Sequence, residues 1–167
     1  MLAFSTNAFT RFTLTEAVDA IADVGFRGIE ILADKPHAYI REFSAADTKA
    51  LRLQLEKRKL QVSNINANCT FGYWSDAPGE PYFEPSLISP NKKHRDDRRE
   101  MILQTLAFAH EIGARNISIT SGRCLGGAPP EIAADLLTEN LKPILDRADQ
   151  LSLDVGKIGR ASCRERV

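Results

Sequence analysis

A parallel α/β fold is the prediction, and three observations make it. Short apolar runs begin near residues 2, 28, 61, 115 and 153. Segments with helical apolar spacing separate them, so strand and helix alternate along the chain. Helix start and stop signals fall between the runs, with a capping box at Thr13–Glu16 and glycines at 25 and 113.

Each element has its own local reason. Leu2–Thr6 (LAFST) is a short apolar run that turns polar, a first strand. In Thr13-Leu14-Thr15-Glu16 the Thr13 hydroxyl can accept one free helix N–H while Glu16 reaches back to another. Leu14, Ala17, Val18, Ile21 and Val24 then keep helical spacing until Gly25. Gly28–Leu32 (GIEIL) is the second strand. Ser44 opens a second helix with Leu51 and Leu55 on its buried side, and Lys57-Arg58-Lys59 suits the negative end of its dipole. Gln61–Ala67 (QVSNINA) is the third strand.

A long connection follows, Asn68 to about Asn91, with Pro78, Pro81, Pro85 and Pro90 among Phe71, Tyr73, Trp74, Tyr82 and Phe83. Met101, Ile102, Thr105, Leu106, Ala109 and Ile112 form one face of a third helix that stops at Gly113. Arg115–Thr120 (RNISIT) is the fourth strand. The turn GRCLGG leads to Pro129-Pro130-Glu131 and a last helix through Leu136, Leu137, Ile144, Leu145 and Ala148. Pro143 either kinks that helix or starts its second segment. Leu153–Val155 begins a fifth strand.

Composition narrows the class. The chain has 167 residues, 43% hydrophobic and 26% charged, with 22 basic and 22 acidic side chains. Balanced charge removes the broad electrostatic case for nucleic acid or an anionic membrane. No apolar run approaches the ~20 residues of a membrane helix, and MLAFSTNAFTRF has neither the basic start nor the apolar core of a signal peptide. Cys69, Cys124 and Cys163 match neither a disulfide framework nor a zinc-finger spacing. The expectation is a soluble, cytoplasmic protein.

Residues 157–167, KIGRASCRERV, lack apolar periodicity and carry three arginines. Ile158–Val167 matches, codon by codon, the translation of a common sequencing-library adapter. We therefore expect the native sequence, residues 1–156, to stop in mid-domain, with 157–167 a non-native tail. Without Lys157, Arg160, Arg164, Arg166 and Glu165 the native part has 18 basic and 21 acidic side chains and is mildly acidic.

A right-handed βα series either winds an open sheet or closes a barrel. An open dinucleotide-binding sheet should carry G-x-G-x-x-G after its first strand, and that turn here reads TNAFTRF. A (β/α)8 barrel uses ~250 residues, of which four βα units plus the start of strand five make about half. The expected architecture is the N-terminal half of a (β/α)8 TIM barrel.

The runs FSTNAF, EAVDAIADVGFRGIEILAD and LAFAHEIGARNISI resemble the xylose isomerase-like TIM-barrel superfamily. Its members include sugar-phosphate isomerases and epimerases, hydroxypyruvate isomerase, inosose dehydratase and endonuclease IV. The resemblance spans essentially Met1 to Gly156. It implies a divalent metal (Mn, Mg, Zn or Co) and paired carboxylates moving a proton beside a carbonyl. It also implies that the metal ligands, Glu, Asp, His and Glu, belong to strands five to eight. The cofactor is thus expected only in the intact protein, and no metal site is assigned within this chain.

Chemistry in such a barrel sits at the C-terminal strand ends. Those ends offer Asn7 and Phe9, then Glu30 with Asp34 and His37, then Asn64, Asn66 and Asn68, and finally Thr120, Ser121 and Arg123. Endonuclease IV-like relatives place zinc-binding histidines after strands three and four, where this chain has amides and hydroxyls. Those groups are poor zinc ligands and suit alcohol groups. Asn7, Phe9, Glu30, His37, Asn66, Asn68 and Trp74 are the candidate substrate contacts; no catalytic residue is assigned.

Bland readings stand beside these. Glu30 either faces ligand or pairs with an arginine of a neighbouring strand. His37 either touches substrate or is a surface loop residue. His94 is a solvated helix start, His110 structural, and Cys69 and Cys124 unreactive. The loop after strand three is a lid carrying Tyr73 or Trp74, or else an oligomer contact. GRCLGG is a tight turn rather than a phosphate cradle.

The expected function is a sugar or sugar-phosphate isomerase/epimerase acting on a small polyhydroxy-carbonyl substrate, with no nucleic-acid or membrane partner. The alternatives are a dehydratase/lyase or endonuclease IV-like enzyme of the same superfamily, or a catalytically inert barrel fragment. Open edges at strands one and five predict poor solubility of the chain on its own.

Overall fold

Local signals and observed elements agree closely. The computed structural model describes residues 2–68, 70–74, 84–124 and 129–157. The order is β1 (Ala3–Ser5), a 3-10 turn (Thr6–Phe9), α1 (Leu14–Asp23), β2 (Gly28–Leu32), α2 (Ala45–Arg58) and β3 (Gln61–Asn66). Then come α3 (Lys92–Glu111), β4 (Asn116–Ile119), α4 (Pro130–Leu151) and β5 (Asp154–Lys157). Capping boxes form at Thr13 with Glu16 and at Ser44 with Asp47, each satisfying two otherwise orphaned N–H groups. Gly113 ends α3 with φ +75°, a conformation that costs glycine little.

The strands make one parallel sheet in the order β1-β2-β3-β4-β5. The register sets Ser5 beside Glu30, Glu30 beside Asn64, Asn66 beside Ser118, and Ile119 beside Lys157. This is the expected α/β architecture, four βα units and a fifth strand, with β1 and β5 as the edges among the described residues. Lys157, expected to lie in the tail, is the last residue of β5. Residues 158–167 fall outside the described residues.

Strand pleating sends alternate residues to opposite faces. Ile29, Ile31, Ile65, Ile117 and Ile119 are at most 1% exposed and face the helices. They meet Val18 and Ile21 of α1, Leu51 and Leu55 of α2, Met101, Ile102 and Leu106 of α3, and Ile144 of α4 in one core. Burying each such isoleucine stabilises the fold by about 1.5–3 kcal/mol before entropy is counted. Arg58 joins α2 to Asp19 and Asp23 of α1.

Pro143 lies inside α4, which runs through it as one helix. A proline lacks the N–H that Glu139 would receive. Packing of Ile144 and Ala148 into the core holds the helix together across that gap. Asn140, one turn earlier and 2% exposed, accepts from Arg99 of α3 and donates to the Leu87 carbonyl.

Candidate functional site

The sheet face opposite the isoleucines is polar. Ser5, Glu30, Asn64, Asn66, Asn116 and Ser118 follow the other phase of the pleat. Glu30 Oε1 accepts the Ser5 hydroxyl at 2.6 Å, and Oε2 accepts the Asn64 amide at 2.5 Å. The same Asn64 Nδ2 donates to Ser118 Oγ at 2.9 Å, while Asn64 Oδ1 accepts from Asn116 Nδ2 at 2.6 Å. One continuous network thus links β1, β2, β3 and β4. The arginine partner expected as one reading of Glu30 is not what the fold supplies: Ser5 and Asn64, neutral donors on the adjacent strands, satisfy the half-buried carboxylate directly.

The C-terminal strand ends lie just above this layer. Ser5 caps the 3-10 turn by accepting from Asn7 N, and that turn carries exposed Asn7 and half-buried Phe9. Phe9 packs edge-on against Phe4 and Phe12. At the end of β3, Asn68 donates from Nδ2 to Asn66 Oδ1 at 2.7 Å. Asn68 Oδ1 is buried and has no hydrogen-bond partner among the described residues. Thr120 and Ser121 follow β4, half-buried.

Asp34 is 1% exposed and serves the chain itself. Oδ1 accepts from Lys35 N and Gly72 N, and Oδ2 from Thr70 N and Phe71 N, all within 2.9 Å. A carboxylate receiving four backbone N–H groups fixes the segment that follows β3. Tyr73 and Trp74 come directly after it. Residues 75–83, and with them part of the expected lid, lie outside the described residues.

Trp74 is tied to α3's neighbourhood. Its indole N–H donates to the Glu84 carbonyl at 2.7 Å, and its ring meets Tyr73 and His94 edge-on. Glu84 is 3% exposed; its carboxylate accepts from Ser86 and pairs with His94 Nδ1 at 3.0 Å. His94 is therefore not the solvated helix start expected from its basic neighbours: Lys92 and Lys93 face outward while the imidazole turns onto a buried carboxylate. Asp97, one turn along α3, gathers the Tyr73 hydroxyl, Arg41 and Lys93. Burial opposes its ionisation, yet hydrogen bonds from Lys93, Tyr73 and Arg41 prevail and hold the carboxyl well below the usual range.

His37 also departs from the surface-loop reading. It is 8% exposed, with Nε2 3.2 Å from the Phe12 carbonyl. Burial lowers its pKa, against the raising pull of the Phe12 and Phe9 carbonyls. Its ring braces the segment after the 3-10 turn. Cys124 is free and exposed; Cys69 and residues 125–128 of the glycine-rich turn lie outside the described residues. Gly122, at φ +110°, leaves no room for a side chain beside Ser86, consistent with a tight turn.

Glu30, Asn66, Asn68 and the Asn7–Phe9 turn are thus organised around the strand ends, whereas His37 and Trp74 are engaged with neighbouring loops. Ser5, Ser118, Asn116 and Glu84 were not singled out from sequence. In the sequence, the alternation of polar residues in SNINAN, residues 63–68, is the one signal of such a face. Among the described residues no group of three or more His, Cys, Asp or Glu side chains is placed to hold a metal, so these residues do not by themselves fit one. A cleft of about 810 Å³ opens at the opposite end of the sheet beside Gln61, Arg115 and the C-termini of α2 and α3. That end carries stability rather than chemistry in barrels. Among the described residues no helix is long and apolar enough to cross a membrane.

Comparison with known proteins agrees with the fold. The xylose isomerase-like TIM barrel family profile matches residues 18–156. A fructoselysine 3-epimerase of Escherichia coli O157:H7 is 22% identical over 145 residues, covering 87% of this chain and 49% of that protein. The crystal structure of a D-tagatose 3-epimerase-like protein superposes with a TM-score of 0.71 at 18% identity, covering 93% of this chain and 51% of the other. D-psicose 3-epimerase in the presence of D-fructose gives 0.68 at 15% identity, covering 92% and 50%. The chain spans about half the length of the curated relatives it matches.

Proposed function

Because the chain belongs to the xylose isomerase-like TIM barrel family, we propose that it is the N-terminal part of a sugar or sugar-phosphate isomerase/epimerase. The reaction is proton transfer beside the carbonyl of a small polyhydroxy substrate. The observation that carries this reading is the amide-and-hydroxyl lining of the strand ends, above all the buried Asn68 Oδ1, which has no partner among the described residues. An unpaired buried acceptor is costly, and an alcohol O–H is the donor that would complete it.

In this reading Asn7, Asn66 and Asn68 bind substrate hydroxyls and Phe9 lies against the carbon skeleton. Trp74 borders the site from the α3 side. His37, buried against Phe12, supports the turn carrying Phe9. A divalent metal (Mn, Mg, Zn or Co) is proposed for the intact protein, held by donors beyond the described residues. The polypeptide as it stands is read as inactive, and residues 157–167 as a non-native tail.

The test uses the full-length protein, incubated in D2O with ketoses and ketose phosphates and each of the four metals. Deuterium appearing by NMR on the carbon next to the carbonyl is the expected result. No exchange with any substrate and metal overturns the reading, and loss of water from the substrate instead would assign a dehydratase.

A further inference from the structure

We propose, resting on the epimerase reading above, that Glu30 is a positioning residue whose two carboxylate oxygens set the Asn7–Phe9 turn for substrate binding and anchor the Asn64 amide beneath the strand ends. Glu30 lies two residues below the end of β2, in register with Ser5 on one side and Asn64 on the other.

The direction of each hydrogen bond follows from the charge. A carboxylate only accepts. Ser5 must therefore spend its O–H on Oε1, at 2.6 Å, which leaves its oxygen lone pairs for Asn7 N at 3.2 Å. That second bond caps the turn carrying Asn7 and Phe9. On the other side Oε2 demands the NH2 edge of Asn64, at 2.5 Å. Asn64 then presents Oδ1 to Asn116 and its NH2 also to Ser118 Oγ. Ser118, accepting from Asn64, keeps its own O–H, and it lies beside Asn66 in the register. One side chain thereby orients donors and acceptors under three strand ends. With both oxygens engaged, Glu30 is occupied in orientation rather than proton transfer.

Glu30→Gln tests this in the full-length protein. A glutamine amide must donate from one terminal atom, so it either reverses the Ser5 hydroxyl or opposes the Asn64 NH2. The expected result is a KM raised about tenfold or more with kcat within about threefold and an unchanged pH profile. Hydrogen exchange at the Asn7 amide should accelerate in both Glu30→Gln and Ser5→Ala, with α2 amides unchanged. A kcat loss of about a thousandfold with a missing pH limb would make Glu30 a proton-transfer group and overturn the proposal. Unchanged KM and unchanged Asn7 exchange would overturn it as well. If the wild-type protein acts on no ketose, the epimerase reading and the substrate role of Glu30 fall together. The exchange measurement then still decides, separately, whether Glu30 orders the turn.

Discussion

The carboxylate of Asp34, just past the end of β2, accepts the backbone N–H of Gly72 at 2.7 Å across 38 positions of sequence. Lys35, Thr70 and Phe71 add their N–H groups to the same carboxylate. Asp34 therefore determines where the segment leading to Tyr73 and Trp74 leaves the sheet.

Asp34→Asn keeps the shape but replaces an acceptor oxygen with a donor facing N–H groups. We expect a loss of about 3 kcal/mol in urea denaturation of the full-length protein, since buried N–H groups lose partners. Amides 70–72 should exchange faster than those of α1. A loss under about 0.5 kcal/mol would contradict this role.

Gly72 packs so closely on the Tyr39 ring that any Cβ would overlap it. Gly72→Ala is expected to cost about 2 kcal/mol by overpacking. The cost should shrink in a Tyr39→Leu background, because the two positions are in contact. Equal costs in both backgrounds would count against the overlap.

Asp97 and His37 each make stability depend on pH, in the same sense. Asp97 has a depressed folded pKa, so its contribution is present above the unfolded value, about 3.9, and is lost as pH falls through the folded value. Asp97→Asn should therefore lower stability at pH 7 and flatten the acid limb below about pH 4. His37 is also lowered, so the unfolded chain binds its proton first, and stability falls as pH drops below about 6.5. His37→Gln should remove that part of the slope. Thermal melts between pH 7 and pH 2 measure both, and parallel curves for wild type and variants would refute both assignments.

The 167-residue chain alone leaves β1 and β5 as unpaired edges among the described residues. Such edges invite association. We expect aggregation on expression and no epimerase activity; a monomer that melts cooperatively and epimerises a ketose would be the contrary result. Reading the source gene past codon 156 should reveal a Glu codon within a few positions, then Asp, His and Glu at later strand ends. A continuous genomic read through KIGRASCRERV to a stop would instead make the tail native.

Sequence by itself determined the elements and their order. The Thr13–Glu16 box, the GIEIL run and the stop at Gly113 act within a few residues, so their signals are local and read directly. The same locality made Asn66 and Asn68 visible at a strand end. Tertiary structure alone decided what the polar groups do. Glu30 meets Ser5 and Asn64 across 25 and 34 positions, Asp34 meets Gly72 across 38, and His94 turns back to Glu84 across ten. Nothing in a side chain's neighbours along the chain specifies such partners. Strand register and loop path choose them, because a buried charge must find its donors wherever the fold brings them.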